Sequence, residues 1–255
     1  MLKKIKIKKS ILLTVMGVCL FSLIGFVEKK QADKIIKHVM ISIDHQHDNY
    51  FIDEKEAMML LTLNDQKSLI GERYQDINLK ELEGRIKAHK FAEDVQVYKD
   101  LKGNLMVDIK QCRPIARIVQ PAGPHAYIGS NGNVLPVSDK FTARVVLISG
   151  DRTFYRLTDS AYMHSEEGIG FMNVLNTIDN DKFWKAQIVQ IDMNRNGELT
   201  LYPQVGDEVF EFGKSQDVET KFKKLKIFYK KIQPAKGYNK YNLVSVKYKD
   251  QIICE

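Results

Sequence analysis

The chain opens on a contrast repeated nowhere else along it. Five lysines fall within the first nine residues, and then no charged side chain occurs from Ile11 to Val27. As a helix rising about 1.5 Å per residue, that apolar run is roughly 26 Å long, slightly under a hydrocarbon core of about 30 Å. Residues 10–27 are therefore expected as a transmembrane helix, with Ile11, Leu12, Leu13, Val15, Met16, Val18, Leu20, Phe21, Leu23, Ile24, Phe26 and Val27 as its membrane anchor. Residues 1–9 form a basic tail, and Lys3, Lys4, Lys6, Lys8 and Lys9 hold that end in the cytoplasm and export the rest. The rival is a cleaved signal peptide, whose apolar core is shorter and ends in small residues. Here the far end reads Leu23-Ile-Gly-Phe-Val27, and Ser22–Gly25 imitates a cleavage site only weakly. A buried core helix does not fit an extreme N-terminus behind five lysines.

Polar residues return at 28–34, a short charged tether. From there the periodicity changes block by block. Val39, Ile41 and Ile43 alternate with His38, Met40 and Ser42, which reads as a strand with one buried face. Asp53 with Glu56, ahead of Ala57, Met58, Leu60 and Leu61, has capping-box spacing; Asn78 with Glu81, ahead of Leu82 and Ile86, repeats it. Val95 and Val97, the turn Lys102-Gly103-Asn104, and Leu105, Val107 and Ile109 read as a β-hairpin. Residues 35–112 thus run strand, helix, helix, strand, strand.

Residues 113–255 are richer in strands. Tyr127-Ile128 and Val134-Leu135 flank a Gly/Asn-rich reversal at Gly129–Gly132, and Val145–Ile148 follow as a further strand. Phe171, Val174, Leu175 and Ile178 recur at helical spacing, with Phe183-Trp184 beyond as packing residues. Ile188, Ile191 and Met193 lead into a turn at Asp192–Leu199. A helix starting at Asp217 buries Val218, Phe222, Leu225, Phe228, Tyr229 and Ile232, while Lys221, Lys223, Lys224, Lys226, Lys230 and Lys231 crowd the other face. That basic face is read as solvated, with a membrane-surface helix as the rival. Leu243, Val244, Ser245, Val246, Lys247 and Tyr248 form the last clear strand, and Gln251–Cys254 ends the chain.

Charge narrows the partners. The formal net charge is +7, but residues 1–30 hold seven Lys and one Glu, so +6 sits at the membrane flank and only +1 beyond it. The exported part has no electrostatic footprint for nucleic acid. Of the three cysteines, Cys19 lies in the apolar run; Cys112 and Cys254 are far apart in sequence, and a disulfide between them is allowed but not indicated.

Motifs for chemistry are incomplete. His45 and His47 lack a third ligand at any recognisable spacing. Gly129–Gly132 has no Lys-Ser/Thr pair or following helix to cradle a phosphate. Asp192–Leu199 opens like a calcium loop, yet the position requiring a bidentate Glu is Pro203. There is no G-x-S-x-G, H-E-x-x-H or dinucleotide glycine pattern, so no catalytic residue, cofactor or metal is assigned.

The order of elements is informative instead. A basic tail, one span, a β-α-α-β-β block, Arg113-Pro114, the Gly129–Gly132 hairpin and a terminal Lys247-Tyr248 strand resemble the FtsQ/DivIB family of bacterial division proteins. The resemblance implies an α+β fold: a POTRA-like domain at 35–112 and a β-rich domain at 113–255. It implies a non-enzymatic inner-membrane scaffold with its bulk in the periplasm, bridging small bitopic division proteins of the FtsB and FtsL type and other divisome proteins. It also implies that Leu243–Tyr248 is an edge strand accepting a strand from the partner, with Tyr248 the expected side-chain anchor. POTRA-like order also occurs in envelope assembly factors and chaperones, which form the runner-up, with an unrecognised envelope hydrolase as a third class.

Overall fold

The computed structural model describes residues 14, 16–22, 34–45, 48–237 and 239–255. Residues 16–22 are helical, and Met16, Val18, Leu20 and Phe21 are exposed. The other expected anchor residues, Ile11, Leu12, Leu13, Val15, Leu23, Ile24, Phe26 and Val27, lie outside the described residues, as does His47. Among the described residues no helix is long and apolar enough to cross a membrane. The chain divides into two compact units. One comprises residues up to His45 with Ile52–Gln111, the other Gln46–Phe51 with Cys112–Glu255.

The first unit has the anticipated order: β1 (His38–Asp44), α1 (Glu54–Leu61), α2 (Leu79–Lys87), β2 (Ala92–Lys99) and β3 (Asn104–Gln111). Its sheet runs β1-β3-β2, with β1 parallel and β2 antiparallel to the central β3. Both helices start where the spacing places them. Asp53 accepts from the Glu56 amide at 2.7 Å and Asn78 from the Glu81 amide at 3.3 Å, each satisfying a donor that the first helical turn leaves unpaired. Buried Gln111 ties the top of the unit, donating to the Asp44 carbonyl at 3.0 Å and accepting from the Ile52 amide at 2.9 Å. In the β2–β3 turn the Asp100 carboxylate accepts from the amides of Lys102, Gly103 and Asn104. These bonds hold its titration below the ordinary carboxylate range.

The second unit is a nine-stranded sheet in the order β12-β11-β10-β9-β8-β7-β4-β5-β6. Its strands are β4 (Pro114–Ile118), β5 (Ala126–Gly129), β6 (Val134–Pro136), β7 (Val146–Ser149), β8 (Ile188–Met193), β9 (Leu199–Pro203), β10 (Val209–Gly213), β11 (Leu243–Ser245) and β12 (Ile253–Cys254). Between β7 and β8 lie α3 (Thr153–Thr158), α4 (Ser160–Met163), α5 (Glu166–Asn180) and α6 (Lys182–Gln187). After β10 come α7 (Val218–Ile227), a π-helical turn (Phe228–Ile232) and α8 (Gln233–Lys236). The core joins Ala116, Ile148, Ile191, Leu201, Phe210 and Val244 of the sheet to Phe171 and Leu175 of α5, Trp184 of α6 and Phe222 and Leu225 of α7. The helical spacing of Phe171, Val174, Leu175 and Ile178 is thus the buried stripe of α5.

Asp192–Leu199 is a hairpin turn. Asn194 Oδ1 accepts from the amides of Asn196 and Glu198 at 2.9 and 3.0 Å, so the side chain at the third position of the calcium-like run is turned onto its own backbone, while Asp192, which opens that run, accepts from the Ser149 hydroxyl at 2.7 Å. Gly170 brings α5 against the segment ahead of α7, where a Cβ would lie 2.3 Å from the Ser215 carbonyl oxygen.

One expectation for α7 fails. Lys221 and Lys224 are not solvated but buried, 6 % and 8 % exposed. Both flank the apolar stripe, so their stems run along it and their ammonium groups reach backbone carbonyls rather than water. Lys221 Nζ donates to the Lys214 carbonyl at 2.6 Å, and desolvation lowers its pKa. On the same face Lys223 pairs with Glu219, and Lys226 pairs with Asp181 and lies over the Phe183 ring.

Candidate partner-binding edge

The carboxyl end of the sheet is built from three short strands. Leu243–Ser245 runs parallel to Val209–Glu211 in the register Leu243 to Val209 and Ser245 to Glu211. The ladder continues one residue beyond β11, because the Val246 amide donates to the Glu211 carbonyl at 3.0 Å. Val244 and Val246, both fully buried, face the core, which fixes the register, since a one-residue slip would turn both to the other face.

Here the expected edge moves. Leu243–Ser245 is paired on both sides, because β12 lies antiparallel to it, Val244 opposite Cys254 and Ser245 opposite Ile253. Leu243–Tyr248 is therefore not an edge strand. Only Leu243, Val244 and Ser245 are in the strand; Val246 is buried, Lys247 is half-buried and Tyr248 opens the turn that precedes β12. The physical reason is the reversal at Tyr248–Asp250, where Asp250 takes positive φ (58°) and lets the last five residues fold back. Lys249-Asp250 followed by apolar Ile252-Ile253 is the signal in the sequence for this hairpin.

The outermost strand is thus β12. Leu243 and Glu255 exchange both backbone bonds, at 3.1 and 2.9 Å. In an antiparallel ladder alternate residues point opposite ways, so Ile252 and Cys254 aim their N–H and C=O groups away from β11. Among the described residues those groups have no partner. Ile252 and Cys254 are half-buried, packed against the core by their side chains, and burial pushes the Cys254 thiol up. Cys112 and Cys254 are not joined in a disulfide.

Three side chains brace this corner. Lys247 Nζ lies 2.5 Å from Glu211 Oε1 and 5.0 Å from the centroid of the Tyr248 ring. The Lys247 hydrogen bond holds the Glu211 carboxyl below its ordinary range, and the same bond raises the Lys247 pKa. Lys224 donates to the carbonyls of Val246, at 3.2 Å, and Tyr248. Gly213, at φ 72°, lets Lys247 approach; a Cβ there would sit 2.8 Å from the Lys247 Cβ. Tyr248, 44 % exposed, is the aromatic side chain beside the outer strand.

The sheet's other borders are less open to a strand. β6 ends on Pro136, which has no amide hydrogen to offer. In the first unit the Val97 amide of β2 is already taken by Glu83 Oε1 at 3.0 Å.

A small αβ unit of strand-helix-helix-hairpin order and a nine-stranded sheet that closes on a two-residue edge define an α+β protein whose first unit is POTRA-like. The comparisons agree. Residues 34–110 match the family model described as POTRA-like domain, and residues 113–255 match the one described as FtsQ/DivIB, C-terminal related. The chain belongs to the FtsQ/DivIB family of bacterial cell-division proteins, a non-enzymatic family. No curated protein matches the chain.

Proposed function

We propose that this chain is a non-enzymatic scaffold of the bacterial divisome, held in the inner membrane by residues 10–27, with its N-terminus cytoplasmic and its bulk periplasmic. It recruits small bitopic partners of the FtsB and FtsL type, and through them other divisome proteins, by adding a partner strand to β12. The observation carrying this reading is the outward-facing backbone of Ile252 and Cys254 in a domain of this family. Lys247 and Tyr248 then serve beside the added strand rather than within the accepting one.

Magnitudes favour an anchored contact over a bare ladder. Two outward residues offer about four backbone hydrogen bonds at roughly 1 kcal/mol each, whereas ordering a partner segment costs about 1–2 kcal/mol per residue. Side-chain contacts must supply the surplus, and Tyr248 is the available aromatic anchor.

A POTRA-based assembly factor is the second reading, and it rests on β1, the outer strand of the first unit's sheet. Depletion separates the readings. Filamentous cells, with the protein at mid-cell, agree with the scaffold; missing outer-membrane barrels agree with the assembly factor; altered cell-wall chemistry by the purified chain would point to a hydrolase.

A further inference from the structure

One end of the first unit carries apolar side chains that the unit does not cover. Leu101 is 73 % exposed, Ile70 59 % and Ile35 50 %. Backbone links gather them at one place. Ile35 pairs with Arg73, the Gly71 amide donates to the Ile36 carbonyl at 2.8 Å, and the Lys37 amide donates to the Gly103 carbonyl at 2.8 Å. Lys34 crosses the same end, its Nζ donating to the Leu101 carbonyl at 2.8 Å. Lys34, Lys37 and Lys102 therefore surround the three apolar tips. The acids nearby are largely occupied: Asp100 is folded onto its turn amides, Asp76 stands 3.9 Å from Arg73, and Glu72 is half-buried.

We propose that this end of the POTRA-like unit rests on the bilayer surface, with Leu101, Ile70 and Ile35 entering the headgroup region and the three lysines against anionic lipid phosphates. The inference rests on the reading that residues 10–27 span the membrane. Two observations select lipid as the occupant. Lys34 follows the end of the apolar run at Val27 by seven residue steps of at most about 3.5 Å each, so it stays within roughly 25 Å of it. In addition, Leu101 and Ile70 sit in turns rather than in a groove, and apolar tips ringed by lysines suit a fluid, negatively charged interface. Each lysine near such a surface strengthens contact by about fivefold, and tethering makes even a weak contact effective.

The test uses the full chain reconstituted in phosphatidylglycerol-containing vesicles. Its single native tryptophan, Trp184, is 2 % exposed and serves as background. In Leu101→Trp, a lipid carrying a nitroxide just below the headgroup should quench the added emission about twofold or more, and quenching should fall to background in pure phosphatidylcholine or with K34E/K37E/K102E. Quenching at background in a chain that resists carbonate extraction overturns the proposal while sparing the spanning helix. Quenching that survives the triple substitution and neutral lipid also overturns the electrostatic part. If carbonate extracts the chain, the spanning reading fails; quenching on anionic vesicles beforehand would still support this surface, and its absence would sink both. A blue shift of the added tryptophan on mixing with acidic protein, with lipid quenching at background, assigns the surface to a protein partner and overturns the proposal.

Discussion

The ammonium group of Lys224 lies 3.2 Å from the carbonyl oxygen of Val246, just where β11 ends. A second bond to the Tyr248 carbonyl makes this buried lysine the donor for two backbone acceptors that no strand reaches. Lys224→Met keeps the stem but strands both carbonyls, at about 1–3 kcal/mol for each one left buried and unpaired. Hydrogen exchange should show β11 and β12 opening at least tenfold faster, with β7 and β8 unchanged. Uniform exchange across the sheet would refute a local bracing role.

The Glu211 to Lys247 bond ties stability to pH. Glu211 titrates below its ordinary 4.5 in the folded chain, so its contribution is full above that value and lost as pH falls through the folded value. Lys247 titrates above its ordinary 10.5, so its contribution is full below that value and lost as pH rises through the folded value. Urea midpoints of the native chain relative to Glu211→Gln should differ by a constant amount between these limits and converge on acidification. A difference that persists in acid would contradict the pair's role.

Asp179 tests the other end of the sheet. Its carboxylate, 8 % exposed, holds Arg113 and lies 2.8 Å from Lys185, joining the start of β4 to α5 and α6. Asp179→Asn should destabilise the domain by about 2 kcal/mol in urea titrations. That is less than the 3–5 kcal/mol of a fully buried broken pair, because Lys185 stays half in water.

Gly170→Ala sets two effects against each other. Alanine favours a helix interior by about 1 kcal/mol over glycine, but the added carbon meets the Ser215 carbonyl at 2.3 Å. Overpacking of about 1–3 kcal/mol wins, and the variant should melt at a lower temperature than the native chain.

What could be read without coordinates followed periodicity and caps. Asp53 and Asn78 mark both helices of the first unit because capping depends on near neighbours in the chain. The stripe from Phe171 to Ile178 is legible for the same reason. Strand position in a sheet is not local, and that is where the reading of Leu243–Tyr248 as an edge goes astray: the segment is strand-like, and its cover by Ile253 and Cys254 is signalled only by the short reversal Lys249-Asp250 ahead of Ile252-Ile253. Lys224 is missed because a lysine among lysines looks solvated, while its place beside the apolar stripe, between Phe222 and Leu225, is the cue to a snorkelling side chain.

The central claim is that a partner strand adds to the outer side of β12. Cys254→Pro removes an outward amide while sparing the bonds that Ile253 and Glu255 make to β11, and proline is tolerated on edge strands. Titration of the full chain with a strand-forming peptide of an FtsB-type partner should show at least tenfold weaker binding for Cys254→Pro, and weaker binding for Tyr248→Ala, at native stability. Equal affinity of Cys254→Pro and the native chain, with both folded, would contradict strand addition at this edge.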